Sequence, residues 1–449
     1  MVVPLLDSQP ATLTMTPWGP AEGLRSRQLR PGPGNTRDAV ARNQRERLFG
    51  ATVAAVAQHG YETTRVADIV ALAGVSRSAF YQYFPNKREC FLATLDALAV
   101  LTRDQVLAAY GDETLSWHER LRALFEAVVG LVLAQPAAAR VWLVETYAAG
   151  PEAVDRMERL ADRLAELVTS AIRETPERFD MPAEGVTAIL GGLRQIIHTR
   201  LRHRREGELP GLVPDLLEWA LSYSAPPARL RKPRKPPRLP APTPDPNEQR
   251  RKILAAVTEL VAERGYQEMT ITDISQRAAI SLTTFYNHFA TKSEAFVAAI
   301  DDGERQLVEV ALPAYERAPD WPRAARDTIH AFFAFNATQP AMAQLGGLRI
   351  FSGGAEGFDR HENATGRFGA VLRAGYREYP DTSPVAAEAV SVAVAALLYQ
   401  QLRRRGAEHA YEVAGIASFI ALAPFVGADE ACALANEGWQ PAVDRGGAA

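Results

Sequence analysis

Residues 64–91 read TRVADIVALAGVSRSAFYQYFPNKRECF, and their punctuation decides the fold. A short apolar-periodic helix stops at a tight turn, Gly74-Val75. A second short helix follows from Ser76 to Phe84, and a third opens near Lys87. That succession predicts a helix-turn-helix, whose second helix enters the DNA major groove. The pattern returns at residues 269–296 as MTITDISQRAAISLTTFYNHFATKSEAF. At the fixed offset 265 − 60 = 205, 17 of the 48 positions from Gln44 to Phe91 are identical, so the chain contains a duplication. A fainter echo, Leu201-Arg202 against Leu402-Arg403, extends the repeated unit to about 200 residues.

Working outward, the expected architecture is all-α: a duplicated helix-turn-helix domain, each copy followed by a helical-bundle domain. Residues 1–41, rich in Pro, Gly, Ser and Thr, read as a disordered arm. Residues 42–91 are the first helix-turn-helix domain, with a leading helix from Arg42 that stops at Gly60. Residues 92–225 form the first helical domain. Residues 226–246, PPARLRKPRKPPRLPAPTPDP, are too proline-dense for helix and mark a basic linker. That linker has two readings, a solvated spacer or an arm that tracks phosphates. Asp245, Pro246 and Glu248 predict the cap of the next helix. Residues 247–296 are the second helix-turn-helix domain, 297–427 the second helical domain, and 428–449 a frayed tail.

Composition restricts the function. A hydrophobic fraction of 47% and a charged fraction of 23% fit large buried cores. Cys90 and Cys432 cannot staple a chain of 449 residues and read as isolated thiols in the cytoplasm. No uninterrupted apolar run approaches the roughly 20 residues that span a bilayer, and no secretory signal is evident, so no membrane association is expected. His198, His203, His330, His361 and His409 lack metal-ligand spacing, and neither metal nor cofactor is expected. With no phosphate loop or nucleophile elbow, an enzyme is not expected either. Net charge is −3, but residues 42–91 carry seven Lys/Arg against four acids, whereas 247–296 carry six of each. The first head is the better-charged DNA binder.

Burying Ile69, Ala73, Phe80 and Phe84 leaves Arg77, Ser78, Tyr81, Gln82 and Tyr83 on the opposite face. The second copy leaves Leu282, Thr283, Tyr286, Asn287 and His288, with Thr284 beside them. Arg suits guanine edges, Gln or Asn adenine edges or phosphate, and Thr methyls thymine. Lys87 and Lys292 open a helix where positive charge opposes the macrodipole, which makes most sense beside a phosphate.

Both stretches resemble the DNA-binding domain of the TetR/AcrR family of bacterial transcriptional regulators. The shared run is Gly-Tyr, Asp-Ile, Ala-Gly-Val-Ser over 73–76, Phe-Tyr-x-x-Phe and x-x-Lys. The resemblance implies phosphate contacts at Tyr81, Tyr83 and Lys87, at Tyr286, His288 and Lys292, and at Thr64 and Thr270. It implies a double-stranded DNA operator and a small hydrophobic effector as partners. Paired long helices, here 183–205 with 209–224 and 383–405 with 408–425, would form an intramolecular pseudo-dimer, with further homodimerisation left open. Candidate pocket aromatics are Phe125, Trp142 and Tyr147 in the first unit and Phe332, Phe333, Phe335 and Phe351 in the second, where the run His330 to Phe335 suggests a wide apolar cavity. Two departures weaken the second head: Ala279-Ile280 replaces Gly-Val, and Leu282 exposes an apolar chain; in the first head, Arg65 stands where the family has a capping Thr, with Thr64 beside it. The expectation is a cytoplasmic, nucleoid-bound repressor with an asymmetric operator. The rival reading is a ligand-sensing or protein-interaction module in which one or both heads no longer bind DNA.

Overall fold

The computed structural model describes residues 15–29, 34–110, 115–174 and 181–441, which are helical almost throughout. The chain divides into two compact units: Met1–Val168 with Ile196–Val213, and Thr169–Gln195 with Pro214–Ala449. The division therefore falls inside three helices rather than at the proline-rich segment.

In the first unit, α1 (Arg37–His59) starts where Thr36 accepts the Ala39 N–H at 3.1 Å and ends at Gly60, whose φ is +84°. The short α2 (Val66–Ala73) and α3 (Arg77–Tyr83) follow, then the long α4 (Lys87–Tyr110). Ile69, Ala73, Phe80 and Phe84 are buried with Leu48, Ala51 and Ala55 of α1, so the spacing of apolar residues does fix the three-helix head. Next come α5 (Trp117–Ala134), α6 (Pro136–Arg140), a π-helical turn (Val141–Glu145) and α7 (Pro151–Glu174). The last two helices, α8 (Ala183–Arg202) and α9 (Leu209–Leu221), are, like α7, divided between the units.

The second unit repeats this order. Its head is α10 (Glu248–Arg264), α11 (Ile271–Arg277), α12 (Leu282–His288) and α13 (Lys292–Glu316). Then come α14 (Trp321–Thr338), α15 (Pro340–Ala343), a π-helical turn (Gln344–Arg349), α16 (Gly354–Arg373), α17 (Ala386–Arg405) and α18 (Ala414–Val426). The duplication runs through the whole unit. Helices α5 and α14 are both 18 residues long, each opening on a Trp after a capping Ser116 or Asp320. Helices α6 and α15 each open on a proline after a glutamine. Helices α8 and α17 are both 20 residues long, and α9 and α18 both 13. Outside the heads few residues are retained, because a buried apolar position accepts many apolar substitutes while helix lengths stay fixed.

Several expectations change. The arm expected over 1–41 is ordered at 15–29, where a two-stranded ribbon, Met15–Thr16 with Gly19–Pro20, leads into 3-10 turns packed on the head. Trp18 lies against Phe49 with ring centroids 5.5 Å apart, and Leu24 is fully buried. A few large apolar groups in a polar segment suffice to dock it. The expected fraying at 428–449 fails over α19 (Ala428–Asn436), whose Ala431, Cys432, Leu434 and Ala435 are buried; residues 442–449 lie outside the described residues. The cap of α10 is Asn247, which accepts the Arg250 N–H at 3.0 Å; Asp245 instead accepts from Asn247 N–H and pairs with Arg250. The linker is extended but tethered within the second unit: Arg231 N–H donates to Asn436 Oδ1 at 2.8 Å, Lys232 pairs with Glu184 and Thr243 N–H donates to Glu309. Among the described residues one helical stretch, Ala407–Val426, is long and apolar enough to cross a membrane, but most of it is buried and it serves as core.

Candidate nucleic-acid interface

Each head is built around a turn that forces one residue into left-handed backbone. At the end of α2, Gly74 has φ +60° and ψ +38°, and Val75 N–H donates to Val70 O at 3.1 Å, a six-residue closure that satisfies the helix end. The second head makes the same closure, Ile280 N–H to Ser275 O at 3.0 Å, with Ala279 at φ +54°. Alanine there costs about 1–2 kcal/mol that glycine avoids. The reading helices then start alike, Ser76 accepting the Ala79 N–H and Ser281 the Thr284 N–H.

The faces beyond these caps differ. On α3, Arg77, Ser78, Tyr81 and Gln82 are exposed, and Tyr81 stands 48% open. On α12, Leu282, Thr283, Tyr286 and Asn287 are exposed, Leu282 to 48% and Tyr286 to 56%. Arg77 and Leu282 hold the first position of their helices. One head therefore leads with a guanidinium and the other with an isobutyl group.

Other expected contacts have structural partners. Tyr83 is half-buried and donates from its hydroxyl to Gln44 Oε1 at 2.6 Å. The matching His288 lies 3.3 Å from Gln249 Oε1 through Nε2. Thr284 is half-buried and its hydroxyl meets Ser281 Oγ at 2.9 Å. Lys87 donates to the Tyr61 carbonyl at 2.6 Å and the Glu62 carbonyl at 3.3 Å, its ammonium 4.3 Å from the Tyr61 ring centre. Lys292 does the same with Tyr266 O, Met269 O and the Tyr266 ring. Burial lowers the pKa of both lysines. Carbonyl oxygens and ring faces thus offset the charge that opposes the helix dipole, and two of the three donors of each ammonium are engaged.

Thr64 is a correction. It is 2% exposed and its hydroxyl donates to Gly60 O at 2.7 Å, so it cannot touch DNA. The counterpart of Thr270 is Arg65, the residue one place on. Thr270 makes a complete capping box with Asp273, whereas Arg65, which has no acceptor, supports only the half in which Asp68 accepts its N–H. Arg65 is exposed. The exposed position that Thr270 holds in the second head is thus held in the first by Arg65, not by Thr64.

A feature of the first head alone lies beneath the turn. Arg47, 2% exposed, donates from Nη1 to Ala73 O at 2.6 Å and to Gly74 O at 3.3 Å, and burial lowers its pKa. Lys252, its counterpart, is exposed and pairs with Glu248.

Repeated ion pairs join each head to the helices that follow. Arg156 on α7 meets Asp96 on α4 at 3.0 Å, and Arg360 on α16 meets Asp301 on α13 at 2.7 Å, the same pair in both copies. The first unit adds Glu145 of the π-helical turn, whose Oε2 accepts the Tyr61 N–H at 2.9 Å and whose pKa is raised by burial.

The wide apolar cavity expected in the second unit is not found at the candidate aromatics. Phe333 and Phe335 are buried, and Phe332 packs edge-on against Phe333. Phe351 is buried against Phe358, His361 and Tyr399. In the first unit Phe125 is buried, Trp142 packs on the α1–α4 core and Tyr147 meets His198 edge-on. The rings fill the space they were expected to line. Two concavities of about 290 and 260 Å³ lie elsewhere, beside α10 and α11, and are lined by residues such as Glu259, Pro340 and Gln344 or Arg264, Asp273 and Gln276.

Residues 48–94 and 253–299 each match the family model described as bacterial regulatory proteins, tetR family. A curated relative, the HTH-type transcriptional activator FasR of Mycolicibacterium smegmatis, is 30% identical over 89 residues, which span 20% of this chain and 41% of the relative. The chain thus spans less than half the length of that relative. Among solved structures, the fatty acid degradation regulator FadR of Bacillus halodurans is 19% identical, covering 43% of this chain and 97% of its own, with a TM-score of 0.37. FadR of Bacillus subtilis in complex with stearoyl-CoA is 18% identical, covering 39% and 97%, with a TM-score of 0.36.

Proposed function

This chain belongs to the tetR family of bacterial regulatory proteins, with two family units in tandem, and from that premise we propose that it is a cytoplasmic, effector-responsive repressor that reads an asymmetric operator through two unlike heads. The observation that carries the asymmetry is the pair Arg77 and Leu282 at the same exposed position of α3 and α12. A guanidinium selects guanine O6 and N7, while an isobutyl group selects the thymine methyl. Two such heads on one chain call for a non-palindromic site with half-sites about one helical turn apart.

Packing within the second unit supports a pseudo-dimer completed inside one chain. A Cβ on Gly192 would lie 3.1 Å from Ala389 O, and one on Gly191 would lie 2.8 Å from Ala396 Cβ, so the first half of α8 meets α17 at close range. Tyr223, just beyond α9, is buried and donates to Ile420 O on α18 at 2.8 Å. Ser383 donates to Asp215 O at 3.1 Å. These contacts join the end of one repeat to the corresponding helices of the next, as the two halves of a dimer interface would be joined. Effector entry requires the packed aromatics to part, and the Arg156–Asp96 and Arg360–Asp301 pairs give that rearrangement a route to α4 and α13.

Selection of bound DNA from a random pool, repeated with each head disabled by Tyr81→Ala or Tyr286→Ala, tests the reading. Unlike half-sites, each lost with its own head, are expected, with one chain per operator by sedimentation. Two identical inverted half-sites, or salt-independent binding, would overturn it. A reporter behind the selected site gives the sign, with repression expected; activation, the role in the relative's name, would reverse that part.

A further inference from the structure

We infer that the docked N-terminal segment is a second DNA-contacting element of the first head, in which Arg25 holds a backbone phosphate beside the first half-site. This rests on the DNA-reading function proposed above.

The segment is fixed. Leu24 is fully buried with Leu48, Ala51 and Ile69, and Trp18 packs at a tilt against Phe49. Asn43 of α1 clamps the backbone at the end of the segment, accepting the Leu29 N–H at 3.2 Å and donating to Arg27 O at 3.1 Å. The three arginines near the turn then have different fates. Arg27 is tied back to Trp18 O, and Arg47 lies buried under Ala73 O. Arg25 is exposed and has no hydrogen bond or ion pair among the described residues.

Its stem crosses the helix-turn-helix turn itself. A Cβ on Gly74 would stand 2.5 Å from Arg25 Cγ and 3.3 Å from its Cα. Gly74 precedes Ser76 by two residues and Arg77 by three, so Arg25 adds an unpaired guanidinium to the end of the head where the exposed reading surface begins. A weakly hydrated planar fork suits phosphate, and a cation held on a docked segment loses little entropy on contact. Gly74 therefore has two reasons to be glycine, its φ and the chain lying on it. The second head lacks the device: Ala279 carries a Cβ there, and the chain leading into α10 is anchored to Glu309.

The test uses the full chain on its selected operator and on scrambled DNA. Arg25→Gln keeps the stem over Gly74 and removes the charge. It should weaken binding to both DNAs by the same factor and lower the magnitude of the log–log salt slope by about 0.9, so that parent and variant converge about 3.5-fold between roughly 50 and 200 mM salt. Arg25→Lys should restore the slope. Leu24→Ala, which undocks the segment, should reproduce the loss with a lowered Tm. An Arg25→Gln protein with parental affinity and slope, while Arg77→Ala still weakens its half-site, overturns the inference and leaves the reading of the heads intact. A parent chain with no salt-dependent DNA binding overturns both.

Discussion

Arg47 passes beneath the α2–α3 turn and donates to the Ala73 carbonyl at 2.6 Å, tying the leading helix of the first head to the end of its second. The bond is buried, and its acceptor has no other side-chain partner among the hydrogen bonds seen at this turn. Arg47→Ala should destabilise the first unit by about 2–4 kcal/mol, through the orphaned carbonyls and the space left behind. Lys252→Ala, at the exposed counterpart, should change stability by under about 0.5 kcal/mol. Calorimetric melts of the two variants should separate them clearly; equal effects would mean that Arg47 adds nothing to the turn.

The left-handed residue of each turn gives opposite expectations. Ala279→Gly should stabilise the second head by about 1 kcal/mol, because φ +54° is strained for alanine and free for glycine. Gly74→Ala should cost the first head more than that same strain, since the new methyl also meets the Arg25 stem. Denaturant midpoints at unchanged m-value report both. A neutral Gly74→Ala would contradict the docking of the segment over the turn.

Exchanging the leading residues of the reading helices should exchange their preferences. Leu282→Arg should move the base favoured beneath α12 from thymine to guanine, and Arg77→Leu should do the reverse beneath α3, each by about 1–3 kcal/mol of discrimination. Binding of all four bases at one position of each half-site measures this. Weakening that is uniform across the four bases would reassign Arg77 to the backbone.

Acid should loosen the second unit through His330. The imidazole is buried, its Nδ1 is 3.0 Å from the Tyr411 hydroxyl, and burial, with Arg326 nearby, pushes its pKa down to about 4. The unfolded chain therefore takes the proton first. The contribution is fully present above the ordinary pKa near 6.5 and is lost as pH falls towards 4, about 2 kcal/mol of it by pH 5. Unfolding free energies at pH 7 and 5 should differ less in His330→Gln by that amount. An unchanged difference would place the acid-sensitive group elsewhere.

Residues 64–91 and their echo at 269–296 determined the heads by themselves. Short-range chemistry suffices there: Ser76 and Ser281 cap, Gly74 turns, and Phe80, Phe84, Phe285 and Phe289 must be buried, so Arg77 and Leu282 face outward. These are constraints between neighbours on one or two helical turns, and a sequence states them directly. The tertiary structure decided whatever depends on residues distant in the chain. It withdrew Thr64 into the core and placed Lys87 on the carbonyls of Tyr61 and Glu62. It also closed the aromatic clusters and laid the 15–29 segment across Gly74. Composition made that segment look unstructured, because Trp18 and Leu24 among Pro, Gly and polar residues carry no period. Their burial is worth several kcal/mol only where Phe49 and the head core are there to receive them.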